Sequence, residues 1–159
     1  MLDCKKIIVE CKPDEILAKS LGLAKNEIAH QNCKGEVCNL LMKTKISLEM
    51  VGEDPNSNQP KYLNNYTLIE NKHDVKILYL KSKNKTIMVL KPRLEEWILK
   101  RCKKSVVNPE KYFLPSNNKQ LKDMINYHLV NFTNLLKELN QKNDIGLVYL
   151  KEQIWKNKK

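Results

Sequence analysis

A change of hydrophobic period, repeated through the first fifty residues, constrains this chain more than any other feature. Residues 5–9 read KKIIV, a short β-branched run suited to a buried strand. The run ends at Glu10-Cys11-Lys12-Pro13-Asp14, a turn that sets proline at the start of a helix. Apolar residues then fall at Ile16, Leu17, Ala18, Leu21 and Leu23, a helical stripe closed by Gly22. Residues 27–31 read as a second strand, and Lys34-Gly35 opens a second helix with Val37, Leu40 and Leu41 on one face. Residues 46–51 form a third apolar run. Strand–helix–strand–helix–strand at this spacing predicts an α/β fold with a mainly parallel sheet and right-handed crossovers.

The remainder extends that sheet and then covers it. Gly52 to Leu63 is a polar loop rich in Asp, Pro, Asn and Ser. Strands are predicted over 67–70, 75–80 and 86–90, the last two flanking a polar connection of hairpin length. A helix over 94–104 carries Leu94, Trp97, Ile98 and Cys102 as its apolar stripe. Pro109 and Pro115 interrupt a loop, and helices follow over 118–140, with a break near Asn131, and over 145–156. Trp97 and Trp155 both fall on apolar helical faces, which predicts two core tryptophans. At 159 residues the expectation is one domain, with a core over about 5–104 and a helical C-terminal extension over about 105–159. No apolar run approaches the ~20 residues of a membrane helix. No stretch of signal-peptide length precedes the first strand, so a cytoplasmic location without membrane contact is expected.

Charge points toward a polyanion without identifying one. The net charge of +11 is uneven: residues 1–99 carry 16 basic and 13 acidic side chains, residues 100–159 carry 13 and 5. The excess lies in the basic C-terminal part, where nucleic acid is a plausible partner. Only Arg93 and Arg101 are arginines, and a lysine-rich, asparagine-rich composition can also arise from codon bias. Lys12, Lys34, Arg93 and Arg101 are the candidate contacts to phosphate, although a solvated face is the structural alternative for the lysines. The five cysteines contain no C-x-x-C pair, and His30 with Cys33 and Cys38 lacks an evident fourth zinc ligand. His30, His73 and His128 share no motif spacing.

The acidic residues carry more information. Glu10 ends the first strand, Glu53-Asp54-Pro55 follows the third, and Glu95-Glu96 opens the helix after a later one. Strand C-termini define the ligand-binding edge of an open parallel sheet, so these carboxylates can converge despite their separation in sequence. Oxygen ligands suit Mg²⁺ or Mn²⁺. Each also has a structural reading: Glu10, Glu95 and Glu96 favour a helix N-terminus, and Glu53-Asp54-Pro55-Asn56 is turn chemistry.

IIVECKPDEILAKSLGL resembles the opening of Toprim domains, the module shared by topoisomerases, bacterial primases and overcoming-lysogenization-defect (OLD) nucleases. ISLEMVGEDPNSNQP resembles the family's second motif, a strand ending in Asp-x-Asp. KGEVCNLL resembles the second helix of small members, and KPRLEEWILK the later acidic segment of OLD-like ones. The resemblance spans about residues 5–100 and implies a Rossmann-like, Toprim-type sheet. It implies Glu10 as general acid/base or metal ligand, Asp54 as metal ligand, and Glu95 or Glu96 at the later acidic position. Two positions depart: Gly52 replaces the first aspartate, with Glu53 a candidate to stand in, and Cys11 replaces a glycine. The implied function is Mg-dependent action on phosphodiesters, as a small OLD-like nuclease. The rival is a non-catalytic module that binds nucleic acid or a protein partner, a second copy included, in a phage-defence or mobile-element setting.

Overall fold

In the computed structural model, residues 6–30 and 46–158 are described. The second predicted helix, with Lys34-Gly35, Cys33 and Cys38, lies outside the described residues.

The strands are β1 (Ile7–Val9), β2 (Ile28–His30), β3 (Leu48–Gly52), β4 (Thr67–Lys72), β5 (Val75–Leu80) and β6 (Lys85–Leu90). They form one six-stranded mixed sheet in the order β2-β1-β3-β6-β5-β4. The first four strands in that order are parallel, and β6, β5 and β4 are joined by antiparallel pairing. Three of the five strand pairings are therefore parallel, all within β2-β1-β3-β6. The short connections after β4 and β5 can only return the chain antiparallel. Parallel β1, β3 and β6 are buried throughout, as strands covered on both faces must be. β4 is an edge strand exposed along most of its length, with a register irregularity between Leu68 and Glu70.

The helices are α1 (Lys12–Ser20), α2 (Leu94–Ser105), α3 (Asn118–Met124), α4 (Leu129–Gln141) and α5 (Ile145–Asn157). α1 starts with Pro13 in its first turn and ends where Gly22, at φ +101°, lets the Leu23 and Gly22 amides donate to the Ala18 and Lys19 carbonyls. The long predicted helix breaks at His128 rather than Asn131. There a 3₁₀ turn at Ile125–Tyr127 lets Leu121 and Ile125 enter the core ahead of Phe132, Leu135, Leu136 and Leu139.

One apolar cluster runs from Ile7, Val9, Leu48, Met50 and Met88 on the sheet to Leu135, Leu136, Leu150 and Ile154 on α4 and α5. The C-terminal helices are thus a layer of the fold. A smaller cluster on the opposite face holds Ile8, Val51, Tyr66, Ile87 and Val89. Trp97 is fully buried and its Nε1 donates to the His73 carbonyl at 2.9 Å. Trp155 departs from expectation: it is 43% exposed, with Lys158 Nζ 4.5 Å from its ring centre. No helix among the described residues is long and apolar enough to cross a membrane.

Arg101 also departs from expectation. It is 1% exposed, stacked toward the Trp97 ring and paired with equally buried Asp144 at 3.7 Å. It is therefore a structural cation inside the fold and no surface contact for phosphate. Gly146 makes the room, since a Cβ there would fall on the Cδ and guanidinium of Arg101, closer than atoms approach. Alanine ordinarily gains about 1 kcal/mol over glycine within a helix. Gly146→Ala is nevertheless expected to lose about 1–3 kcal/mol through overpacking. Urea unfolding checks this, and a stabilised variant would show that Arg101 has space to move.

Candidate functional site

Because β1, β3 and β6 are parallel neighbours, the residues that follow them share one edge. In the strand order, β2 and β3 lie on opposite sides of β1, so the crevice between the β1 and β3 ends is a topological switch point. A cavity of about 820 Å³ opens there, lined among others by Glu10, Cys11, Asp14, Gly52, Asp54 and Glu95.

Local structure fixes each group. Glu10 leaves β1 directly, and Cys11 is the N-cap of α1. The Cys11 thiol donates to Asp14 Oδ2 at 3.0 Å. Asp54 has φ +48°, a conformation Asp tolerates better than most residues. Its amide donates to the Pro92 carbonyl, and the Glu53 amide to the Leu90 carbonyl, each at 2.9 Å, stitching the β3 and β6 ends together. Gln59 Nε2 donates back to the Glu53, Asp54 and Ser57 carbonyls, closing the loop over the cavity rim. A Cβ at Gly52 would meet Asp54 Oδ2 at 3.4 Å and Arg93 Cα at 3.7 Å, so Gly52 lies in van der Waals contact with the Asp54 and Arg93 side of the cavity.

The charges are arranged unequally. Asp14 is 3% exposed and its Oδ1 has no hydrogen-bond partner. Burial pushes its carboxyl up to about 7, against the Cys11 hydrogen bond that lowers it, and Glu10 and Glu95 push it further up. Glu95 is likewise raised by burial and by Asp54, while Lys122 and Arg93 oppose the rise. The Cys11 thiol is pushed well up by burial and by Asp14, which keeps it protonated and unreactive. Arg93 Nε lies 3.2 Å from Asp54 Oδ1, and its Nη1 lies 2.8 Å from Glu96 Oε1.

The sequence candidates therefore divide. Glu10, Asp54, Glu95 and Arg93 meet around one cavity. Glu53 pairs instead with Lys76 Nζ of β5 at 2.6 Å and is not among the lining residues. Glu96 holds Arg93 and lines an adjoining cavity of about 280 Å³ with Asn118, Lys119 and Lys122. Lys12 is a solvent-facing partner of Glu15. Arg101 is enclosed, and Lys34 is outside the described residues. Asp14 and Lys122 belong to the site and were not singled out from sequence. The Glu10-x-x-x-Asp14 spacing across a strand-to-helix turn was the available signal for Asp14; nothing local marks Lys122.

The donor set facing this cavity is oxygen-rich and matches a hard cation. No three His, Cys, Asp or Glu side chains among the described residues close into a ready-made cage. Mg²⁺ commonly takes one or two carboxylates and completes its shell with water and phosphate, and the orphaned Asp14 Oδ1 fits such a role. Comparison with family models, characterised proteins and solved structures gave no match in any of the three.

Proposed function

We propose that this protein is a Rossmann-like, Toprim-type domain that holds Mg²⁺ or Mn²⁺ at the β1–β3–β6 edge and acts on phosphodiesters of nucleic acid. The observation that carries the reading is the gathering of Glu10, Asp14, Asp54 and Glu95 around one cavity at the switch point. Arg93 and Lys122 on the same cavity add anion-binding groups to a carboxylate floor. A bound cation would supply charge stabilisation at a phosphoryl oxygen and a more acidic water. Asp14, Asp54 and Glu95 offer oxygens to hold it. Glu10, at the end of β1, is the residue assigned to proton transfer with the attacking water, and Lys122 to the substrate backbone.

A second reading has a specific observation in its favour. Asp54 is already paired with Arg93 and Gly52 adds no carboxylate, as a module that binds a partner without catalysis would allow.

Calorimetric titration with Mn²⁺ and Mg²⁺ separates the two. The wild type is expected to bind in the micromolar to low millimolar range, about 4–8 kcal/mol. The Glu10→Ala, Asp54→Ala double variant is expected to lose that heat while still unfolding cooperatively. Absence of binding by the wild type, with single-stranded or duplex nucleic acid present, would sink the cation-dependent reading.

A further inference from the structure

We propose that Arg93 is a built-in counter-ion that makes cation binding and phosphate binding at this edge depend on each other. The inference rests on the cation-dependent reading above and concerns how that site is loaded. Arg93 bridges two carboxylates, Asp54 at 3.2 Å and Glu96 at 2.8 Å. It lines both the carboxylate cavity and the adjoining one, which contains Lys119 and Lys122. The Asp54 amide bond to the Pro92 carbonyl ties the two loops together, so Arg93 stays within reach of Asp54. The buried and unpartnered Asp14 Oδ1 marks the same cavity as one that favours a positive ligand.

The consequence follows from competition for shared groups. A carboxylate engaged by a guanidinium is a weaker ligand for a divalent cation, because that pair must first be broken. A guanidinium released from Asp54 presents a planar fork of donors that matches a phosphate diester. A phosphate that engages Arg93 in turn frees Asp54. Each ligand therefore raises the affinity of the other, and linkage requires the two factors to be equal. Arg93 on this account is a positioning residue acting through Asp54 and the phosphate.

Mn²⁺ binding to the full chain is measured with and without a phosphorothioate-backbone single-stranded oligodeoxynucleotide, which resists cleavage. Oligonucleotide binding is measured with and without Mn²⁺. The wild type is expected to show equal reciprocal factors of about 5–150. Arg93→Gln is expected to bind Mn²⁺ alone several-fold more tightly than the wild type and to show a factor near one. Should Arg93→Gln fail to fold, Arg93→Lys reads the same direction, because an ammonium lacks the planar fork that spans both carboxylates. A wild type that binds Mn²⁺, with a variant that binds it no more tightly or keeps the wild-type factor, overturns the role of Arg93 and leaves the cation-dependent reading standing. A wild type that binds no Mn²⁺ under any condition removes both.

Discussion

Asp144→Ala is expected to cost about 3–5 kcal/mol of folding stability, the usual effect of stranding a buried charge. Arg101 has its guanidinium enclosed, and neither Nε nor Nη1 has a hydrogen-bond partner. Asp144 supplies its opposing charge at 3.7 Å, beyond hydrogen-bond reach, so the pair is held by Coulomb attraction alone. The same carboxylate caps α5 by accepting from the Leu147 amide at 3.0 Å and accepts from Ser105 Oγ at 2.5 Å. The cap alone is worth about 1 kcal/mol. For a chain of this size the melting temperature should fall by roughly 6–20 °C. Urea midpoints with an unchanged slope are the measurement. Arg101→Met combined with Asp144→Ala should recover much of the loss, since the stranded charge is then gone. A single variant within about 1 kcal/mol of wild type would mean that water reaches Arg101.

Arg101 also illustrates what sequence reading can and cannot recover here. As the one arginine in the basic C-terminal part, it reads from sequence as a phosphate contact. Its position repeats the spacing of Leu94, Trp97, Ile98 and Cys102, and that stripe already placed it on the buried face of α2. Its counter-charge lies forty-three residues away at the N-cap of another helix, a pairing no local pattern carries. The strands and hairpin were legible because β-branched runs bounded by polar turns leave little choice of structure. The placement of β6 between β3 and β5 was not, because strand order depends on long-range pairing. Trp155 was misread because an amphipathic stripe does not reveal where its margin meets solvent.

The candidate site was legible to the extent that strand ends are. Glu10, Asp54 and Glu95 follow adjacent parallel strands, so predicting those strands brought the three to one edge. Glu53 and Asp54 are adjacent in sequence but diverge, one toward Lys76 and the other toward Arg93, because the turn at Asp54 takes a positive φ. Lys122 reaches the site only because α3 packs near α2. In sequence Asp14 is only the last residue of a strand-to-helix turn, because its 3% exposure depends on what lies against α1.

Burial gives Asp14 a second consequence. Its carboxyl titrates near 7 in the folded protein, against an ordinary value of 3.8. Between those values the folded state keeps a proton that the unfolded state has released. Unfolding then releases a proton, and stability must fall as pH rises from about 4 to about 7 before levelling off. Three pH units correspond to roughly 4 kcal/mol at the outer limit, with Glu95 tilting the curve in the same direction. Asp14→Asn is expected to be more stable than wild type at pH 8, by about 2–4 kcal/mol, and to lose most of the slope. The two proteins should converge near pH 4. On the proposed cation-dependent reading, such a cost is a familiar trade of stability for function. Mn²⁺ should therefore stabilise the wild type more at pH 8 than at pH 5.5, where Asp14 is protonated. In Asp14→Asn that difference should shrink. A wild-type stability curve that is flat or rising between pH 4 and 7 would remove Asp14 from the site's electrostatics. A falling curve with no pH-dependent Mn²⁺ effect would keep the buried carboxyl and assign the cation elsewhere.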